Sequence, residues 1–181
     1  MASYDDMALA GIGVALKVAM IVGTLCIGFG QGIQPLLGYC VGAGNSKRFH
    51  QIMKYSLWFS LGLGTIMTLL CYIFITPITN AFLTEPDAFS YGVTFTKILI
   101  ITGFLLGIFY VLNNALQALG ASYAALAVNI SRQGLIYIPL MLVMNALFGS
   151  KGIVWAQPIS DILTIILAIF LYQKDKQRIL H

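Results

Sequence analysis

Runs of roughly twenty apolar residues recur along the chain, separated by short polar stretches, and each run is long enough to cross a bilayer as an α-helix. They predict spans at residues 18–40, 55–77, 98–119, 127–147 and 153–172. The fourth run carries Asn129 and Arg132, which moves its expected start toward Gly134. The connections at 42–54, 78–96, 120–126 and 148–152 and the polar tail at 173–181 are too short to fold as soluble domains. The expected fold is all-α: a polytopic membrane helix bundle of about five transmembrane helices, forming a single transmembrane domain.

Composition agrees. Hydrophobic residues make up 59% of the chain and charged residues 9%, and the mean hydropathy is +0.90. A water-soluble fold would have too little polar surface to cover itself. The net charge of +4 comes from short runs flanking apolar stretches, which does not make a nucleic-acid footprint. Lys47, Arg48 and Lys54 fall in the first connection, Arg132 lies near the third, and Lys174, Lys176 and Arg178 occupy the tail. Basic loops face the cytoplasm, so the chain is expected to be a multi-pass protein of the cell (inner) membrane with its N-terminus outside and its C-terminus cytoplasmic. Glu85 and Asp87 then lie on the outer side, with Lys17, Lys97 and Lys151 at or near helix ends, and Tyr55, Trp58, Tyr91, Trp155 and Tyr172 near span ends, where aromatic rings anchor. Asp5 and Asp6 are placed just ahead of the first helix, where its dipole favours them. Cys26, Cys40 and Cys71 lie in apolar runs and form no disulfide framework. The N-terminus lacks the basic region of a secretory signal, so the first run is read as retained structure. An odd number of spans beginning outside leads us to expect a piece of a longer chain.

Between Gly28 and Arg48 the glycines at 28, 30, 32, 38 and 42 and Pro35 interrupt a hydrophobic span. Gly28 with Gly32, and Gly38 with Gly42, are four apart, a spacing that lets a neighbouring backbone approach. Pro35 removes one rung of helix hydrogen bonding, which in a bilayer must be answered by another group. Gln31, Gln34 and Asn45 bring amides to this region, and Gln34 beside Pro35 is a candidate for lining a polar cavity. The third span carries Tyr110, Asn113, Asn114 and Gln117, whose amides fall along one side of a helix. Buried amides must face protein or water, so interhelical hydrogen bonding and a wet pathway both stay open. Asp161 is the carboxylate deep in a span, roughly 12 Å below its outer end. It is either an ion or proton site or the partner of a buried base such as Arg132, although straight-helix depths for the two do not match. No phosphate loop, His-Glu-x-x-His or metal-spaced cysteine pair occurs, and Gly28, Gly30 and Gly32 do not fit a dinucleotide fingerprint; no enzymatic activity is expected.

Three motifs resemble the multidrug and toxic compound extrusion (MATE) family of antiporters. The run from Gly28 to Arg48, with Gln34-Pro-Leu-Leu-Gly-Tyr39 and the Gly42-Ala-Gly-Asn45 turn, resembles the second helix of that family's C-terminal lobe. Asn113-Asn-Ala-Leu-Gln-Ala-Leu-Gly120 is similar to its tenth span, and Gly152-Ile-Val-Trp-Ala-Gln-Pro-Ile-Ser-Asp161 to the start of its twelfth. The resemblance implies a C-terminal lobe, comprising the end of span seven and spans eight to twelve, with the N-terminal lobe absent. It implies two lobes that rock between outward-open and inward-open states.

By that resemblance the function is secondary active export of amphipathic or cationic drugs in exchange for H⁺ or Na⁺, with this lobe inactive alone. Gln34, Tyr110, Asn113, Asn114 and Gln117 would bind substrate, with Asp161 the ion-coupling candidate. Ile108, Tyr110 and Asn113 stand where some family branches carry a coupling carboxylate, which places the principal ion site in the other lobe. No cofactor beyond the coupling ion is expected, and the partners are the substrate, membrane lipid and the missing lobe. The alternatives are a flippase of lipid-linked oligosaccharides from the same superfamily and a non-transporting membrane assembly subunit.

Overall fold

With no bilayer water to satisfy exposed amides, a chain of this hydropathy must close its backbone hydrogen bonds within each span. The computed structural model, which describes residues 2–82 and 86–180, does so with helices: α1 (Ala2–Gly42), α2 (Ser46–Ile73), α3 (Ile75–Phe82), α4 (Pro86–Leu99), α5 (Gly103–Ala118), α6 (Ser122–Ile130) and α7 (Tyr137–Leu180). A 3₁₀ turn at Ile100–Thr102 joins α4 to α5, and a π-helical segment at Ser131–Leu135 lies between α6 and α7. Five stretches of the described residues are long and apolar enough to cross a membrane: Ala10–Gly42, Ser46–Ile73, Ala88–Ala118, Ser122–Gly149 and Gly152–Gln177.

The runs at 18–40, 127–147 and 153–172 lie within these stretches, 98–119 overruns its stretch by one residue, and 55–77 passes Ile73 into α3; each stretch is longer than its run. Residues 2–17, which lie ahead of the first expected span, are the opening turns of α1, because nothing between them and Val18 breaks a helix. Asp5 and Asp6 therefore sit inside α1. The first connection shrinks to residues 43–45, since Asn45 caps α2 by accepting a hydrogen bond from the Arg48 amide at 3.0 Å. Much of the expected 78–96 connection is helical, with Pro86 in the first turn of α4, where its missing N–H costs nothing. The fourth span starts at Ser122, well ahead of Gly134. Glu85 lies outside the described residues.

Two glycines turn the chain. Gly120 takes φ +75°, and the Ala121 amide then reaches the Leu116 carbonyl at 3.0 Å, closing the C-terminus of α5. Gly149, at φ 62° and ψ −145°, divides α7 into the end of the fourth span and all of the fifth.

Helix α1 packs along α4 and α5, and α2 packs along α5. The largest buried cluster joins Leu37 and Cys40 of α1, Phe49 and Met53 of α2, Phe109, Leu112 and Leu116 of α5, and Val128 of α6. Met20, Leu25, Trp58, Phe59, Ile66 and Ile73 face outward, as side chains in contact with lipid do. Tyr55, Trp58 and Trp155 are exposed as expected of anchoring rings, but Tyr91 and Tyr172 pack inward, against the α1–α4 cluster and the main core respectively.

The glycine pairs expected to draw helices together do not. A Cβ built at Gly28, Gly32, Gly38 or Gly42 meets nothing within 4 Å, so that side of α1 has no close neighbour among the described residues. The close approach lies between α2 and α5. Ser56, Ser60, Gly64 and Thr68 form a buried ridge of small residues at four-residue spacing. A Cβ at Gly64 would lie 2.9 Å from the Phe104 carbonyl oxygen and one at Gly103 2.5 Å from Thr68 Oγ1, while one at Gly107 would strike the Ser60 carbonyl. Small residues at this spacing let two backbones touch.

Candidate functional site

Helix α5 turns its other side toward α1 and α6, and here the amides gather. Gln31 and Gln34 from α1, Tyr110, Asn113, Asn114 and Gln117 from α5, Asn129 from α6 and Arg132 and Gln133 from the π segment line an open cavity of about 330 Å³. All five residues expected to bind substrate are among them. Asn45, grouped with them by sequence, is not; it caps α2 instead.

The amides are held by one another and by the backbone. Gln34 Nε2 donates to Gln117 Oε1 at 3.4 Å, and Asn129 Nδ2 to Asn113 Oδ1 at 3.0 Å. Asn114 Nδ2 donates to the Tyr110 carbonyl at 2.8 Å, and a Cβ on Gly30 would fall within 2.8 Å of the same nitrogen. Gly30, like Gly11 where α1 meets Gly92, is thus a glycine whose missing side chain matters, because it makes room for Asn114. Pro35 leaves the Gln31 carbonyl without its helical donor, and Gln31 belongs to the cavity wall. Asn113 and Asn114 are buried, whereas Gln31, Gln117, Asn129 and Gln133 are exposed. The wall therefore combines fixed amides with accessible ones.

A second cavity of about 390 Å³ adjoins the first and shares Ile27, Tyr110, Arg132 and Gln133 with it. It extends between α1 and α7 past Gln157 to Asp161. On the boundary stands an ion pair: Arg132 Nε donates to Asp161 Oδ1 at 2.9 Å, with side chains 12% and 4% exposed. Arg132 Nη1 also donates to the Tyr110 hydroxyl oxygen at 3.0 Å, and the guanidinium lies 4.7 Å from the Phe109 ring centroid. Gln157 Nε2 approaches Asp161 Oδ1 at 3.5 Å and Thr102 Oγ1 donates to Oδ2 at 3.2 Å, while Ser160 Oγ donates to the Arg132 carbonyl at 3.1 Å.

Three departures from α-helical geometry converge at this pair. Thr102 belongs to the 3₁₀ turn, Arg132 to the π segment, and Pro158 lies within α7 three residues before Asp161. Such breaks free backbone groups and recur at functional sites. Arg132, read by sequence as a charge near a connection and as one candidate partner of Asp161, is thus its ion-pair partner. Straight-helix counting kept the pair apart; an earlier start to the fourth span, the π segment and a long side chain close it. Gln133, Gln157 and Thr102 were not singled out. The first two sit beside or four residues from a charged residue, a readable signal, whereas nothing in the sequence marks Thr102.

The MatE family model matches residues 1–143. Among curated proteins, the multidrug export protein MepA of Staphylococcus aureus is 27% identical over 183 residues, covering 99% of this chain and 39% of MepA. An FAD transporter of Shewanella oneidensis is 25% identical over 174 residues, covering 96% of this chain and 38% of that protein. Among solved structures, the Vibrio cholerae MATE transporter VcmN in its bent form superposes with a TM-score of 0.87 at 22% identity, covering 98% of this chain and 41% of VcmN. The chain spans 39% of the length of the multidrug exporter it matches.

Proposed function

This chain belongs to the MatE family, and on that footing we propose that it is one lobe of a secondary active antiporter that exports amphipathic compounds, cationic drugs among them, in exchange for H⁺ or Na⁺. The observation that carries the reading is the amide-lined cavity at the meeting of α1, α5 and α6. Gln34 of α1 and Tyr110, Asn113, Asn114 and Gln117 of α5 open onto one space of about 330 Å³. Amides that served only to join helices would have no need of that opening. They offer donors and acceptors without net charge, and Tyr110 adds an aromatic face, which suits varied amphipathic ligands.

Asp161 is the ion-coupling candidate within this lobe. A proton or Na⁺ reaching it competes with Arg132 for the same oxygens, so bound ion and ion pair favour different arrangements of α6 and α7. Transport needs a second lobe to close the cavity's other side, and by itself this lobe is inactive. The C-terminus and the residue 43–45 turn are assigned to the cytoplasm.

The test is efflux of a fluorescent cation from cells expressing the complete two-lobe transporter. Asn114→Ala with Gln117→Ala is expected to abolish efflux with the amount of protein in the membrane unchanged. Undiminished efflux would remove these residues from the site.

A further inference from the structure

Away from the amide cavity, a groove of about 400 Å³ lies between α2, α5 and α7. It exists because α2 and α7 each pack on α5 but not along each other. Ile108 and Leu112 form its floor. At 3.6 residues per turn they leave α5 roughly half a turn from the row Tyr110, Asn113 and Gln117. Trp58 and Ile169 on its flanks are among the exposed apolar residues of the bundle. The groove shares no lining residue with either cavity of the amide site among the described residues. It therefore faces lipid and not the space assigned to substrate.

The wall changes character along its length. Leu57 and Leu61 of α2, the α5 floor and Ile169 of α7 make it apolar. Toward the end of α7, Tyr172, Gln173 and Lys176 follow Ile169 at i+3, i+4 and i+7, so all four form one helical stripe. The Tyr172 ring packs against the main core. Its hydroxyl, the Gln173 amide and the Lys176 ammonium have no hydrogen-bond or ionic partner among the described residues. Lys176 is half-buried, and it sits in the last turn of the membrane stretch that ends at Gln177, the depth of phospholipid headgroups. Residues 46–58 and 169–177 carry Lys47, Arg48, Lys54, Lys174 and Lys176 against one acid, Asp175, which does not line the groove. A cation with unpartnered donors beside it draws an anion, and an apolar trough leading away from it draws a hydrocarbon chain. A drug cation would be repelled by Lys176, whereas an anionic phospholipid carries both complements in one molecule.

We propose that this groove binds an anionic phospholipid, with one acyl chain on the floor made by Ile108 and Leu112 and the phosphate held at Lys176 beside the Tyr172 hydroxyl and the Gln173 amide. The lipid then fills the seam that α2 and α7 leave open and ties the two helices together.

The test is native mass spectrometry of the 181-residue chain, released from an uncharged detergent supplemented with phosphatidylglycerol or phosphatidylcholine of identical acyl chains at equal concentration. One phosphatidylglycerol is expected to be retained, favoured over phosphatidylcholine by about fivefold or more, the scale of one lysine meeting an anionic lipid surface. Lys176→Gln keeps most of the side chain's length and removes its charge, and it should cut that preference to below about twofold. Lys174→Gln removes an equal charge from an exposed residue outside the groove and should leave the preference intact. Ile169→Trp, which adds bulk to the groove from a lipid-exposed position, should lower retention of both lipids. Equal retention of the two lipids, retention of neither, or a preference undiminished in Lys176→Gln would overturn the site. So would an equal loss of preference in Lys174→Gln, which would reveal general attraction to a basic surface, or full retention in Ile169→Trp.

Discussion

Helix α5 meets α2 through Gly103 and Gly107 and meets α1 and α6 through Tyr110, Asn113, Asn114 and Gln117, and the two sides use polar chemistry in opposite ways. On the α2 side, polar atoms are small, and Thr68 Oγ1 is buried without a hydrogen-bond partner among the described residues. Ser60 Oγ donates to the Leu57 carbonyl at 3.0 Å, and the Gly103 and Gly107 backbones pass directly over the Thr68 and Ser60 positions. The seam is dry and its specificity is steric. On the α1 and α6 side, polar atoms are long, reach between helices, and leave a cavity they do not fill. Between α2 and α5, then, small residues at four-residue spacing make the glue, and on the other side of α5 long amides border the opening.

That contrast can be broken in four places. Arg132→Ala leaves Asp161 buried without its base and should cost about 3–5 kcal/mol of stability, with Arg132→Met/Asp161→Leu restoring most of it. The buried free thiols of Cys26, Cys40 and Cys71 make a thiol-reactive dye a direct monitor of thermal unfolding in detergent. By the same assay Gly107→Leu, which drives a side chain into the Ser60 backbone, should cost about 1–3 kcal/mol, and no second-site amide change should rescue it. Asn113→Ala removes one interhelical hydrogen bond to Asn129 and should cost only about 0.6 kcal/mol, yet it should lower efflux of the fluorescent cation by the complete two-lobe transporter. Gly32→Ala fills open space and should shift stability by less than about 0.5 kcal/mol in either direction.

Hydropathy alone carried the five spans, because backbone satisfaction in lipid leaves helix as the remaining choice for long apolar runs. Helix ends were less legible, since apolar length marks the bilayer and not the helix: α2 starts at Ser46 because Asn45 caps it, outside the apolar run. The amide cluster on α5 was readable because one helix carries it, and α1's Gln34 joined it through the Pro35 interruption. The glycines misled because spacing shows a small-residue face but not whether a neighbour lies against it. Gly28 and Gly32 face open space, while Gly64, Gly103 and Gly107, with equally regular spacing, form the seam. The ion pair was legible only as one of two readings of Asp161, since its depth match depends on a π segment that residue counting treats as regular helix.

The central claim is that the amide side of α5 faces water and its α2 side does not. In a background with Cys26, Cys40 and Cys71 changed to Ala, Gln117→Cys and Ser60→Cys can each be exposed to a charged, membrane-impermeant methanethiosulfonate and the modified fraction read by mass spectrometry. The account predicts rapid modification at position 117 and none at position 60; protection at 117, or equal labelling of the two, would contradict it.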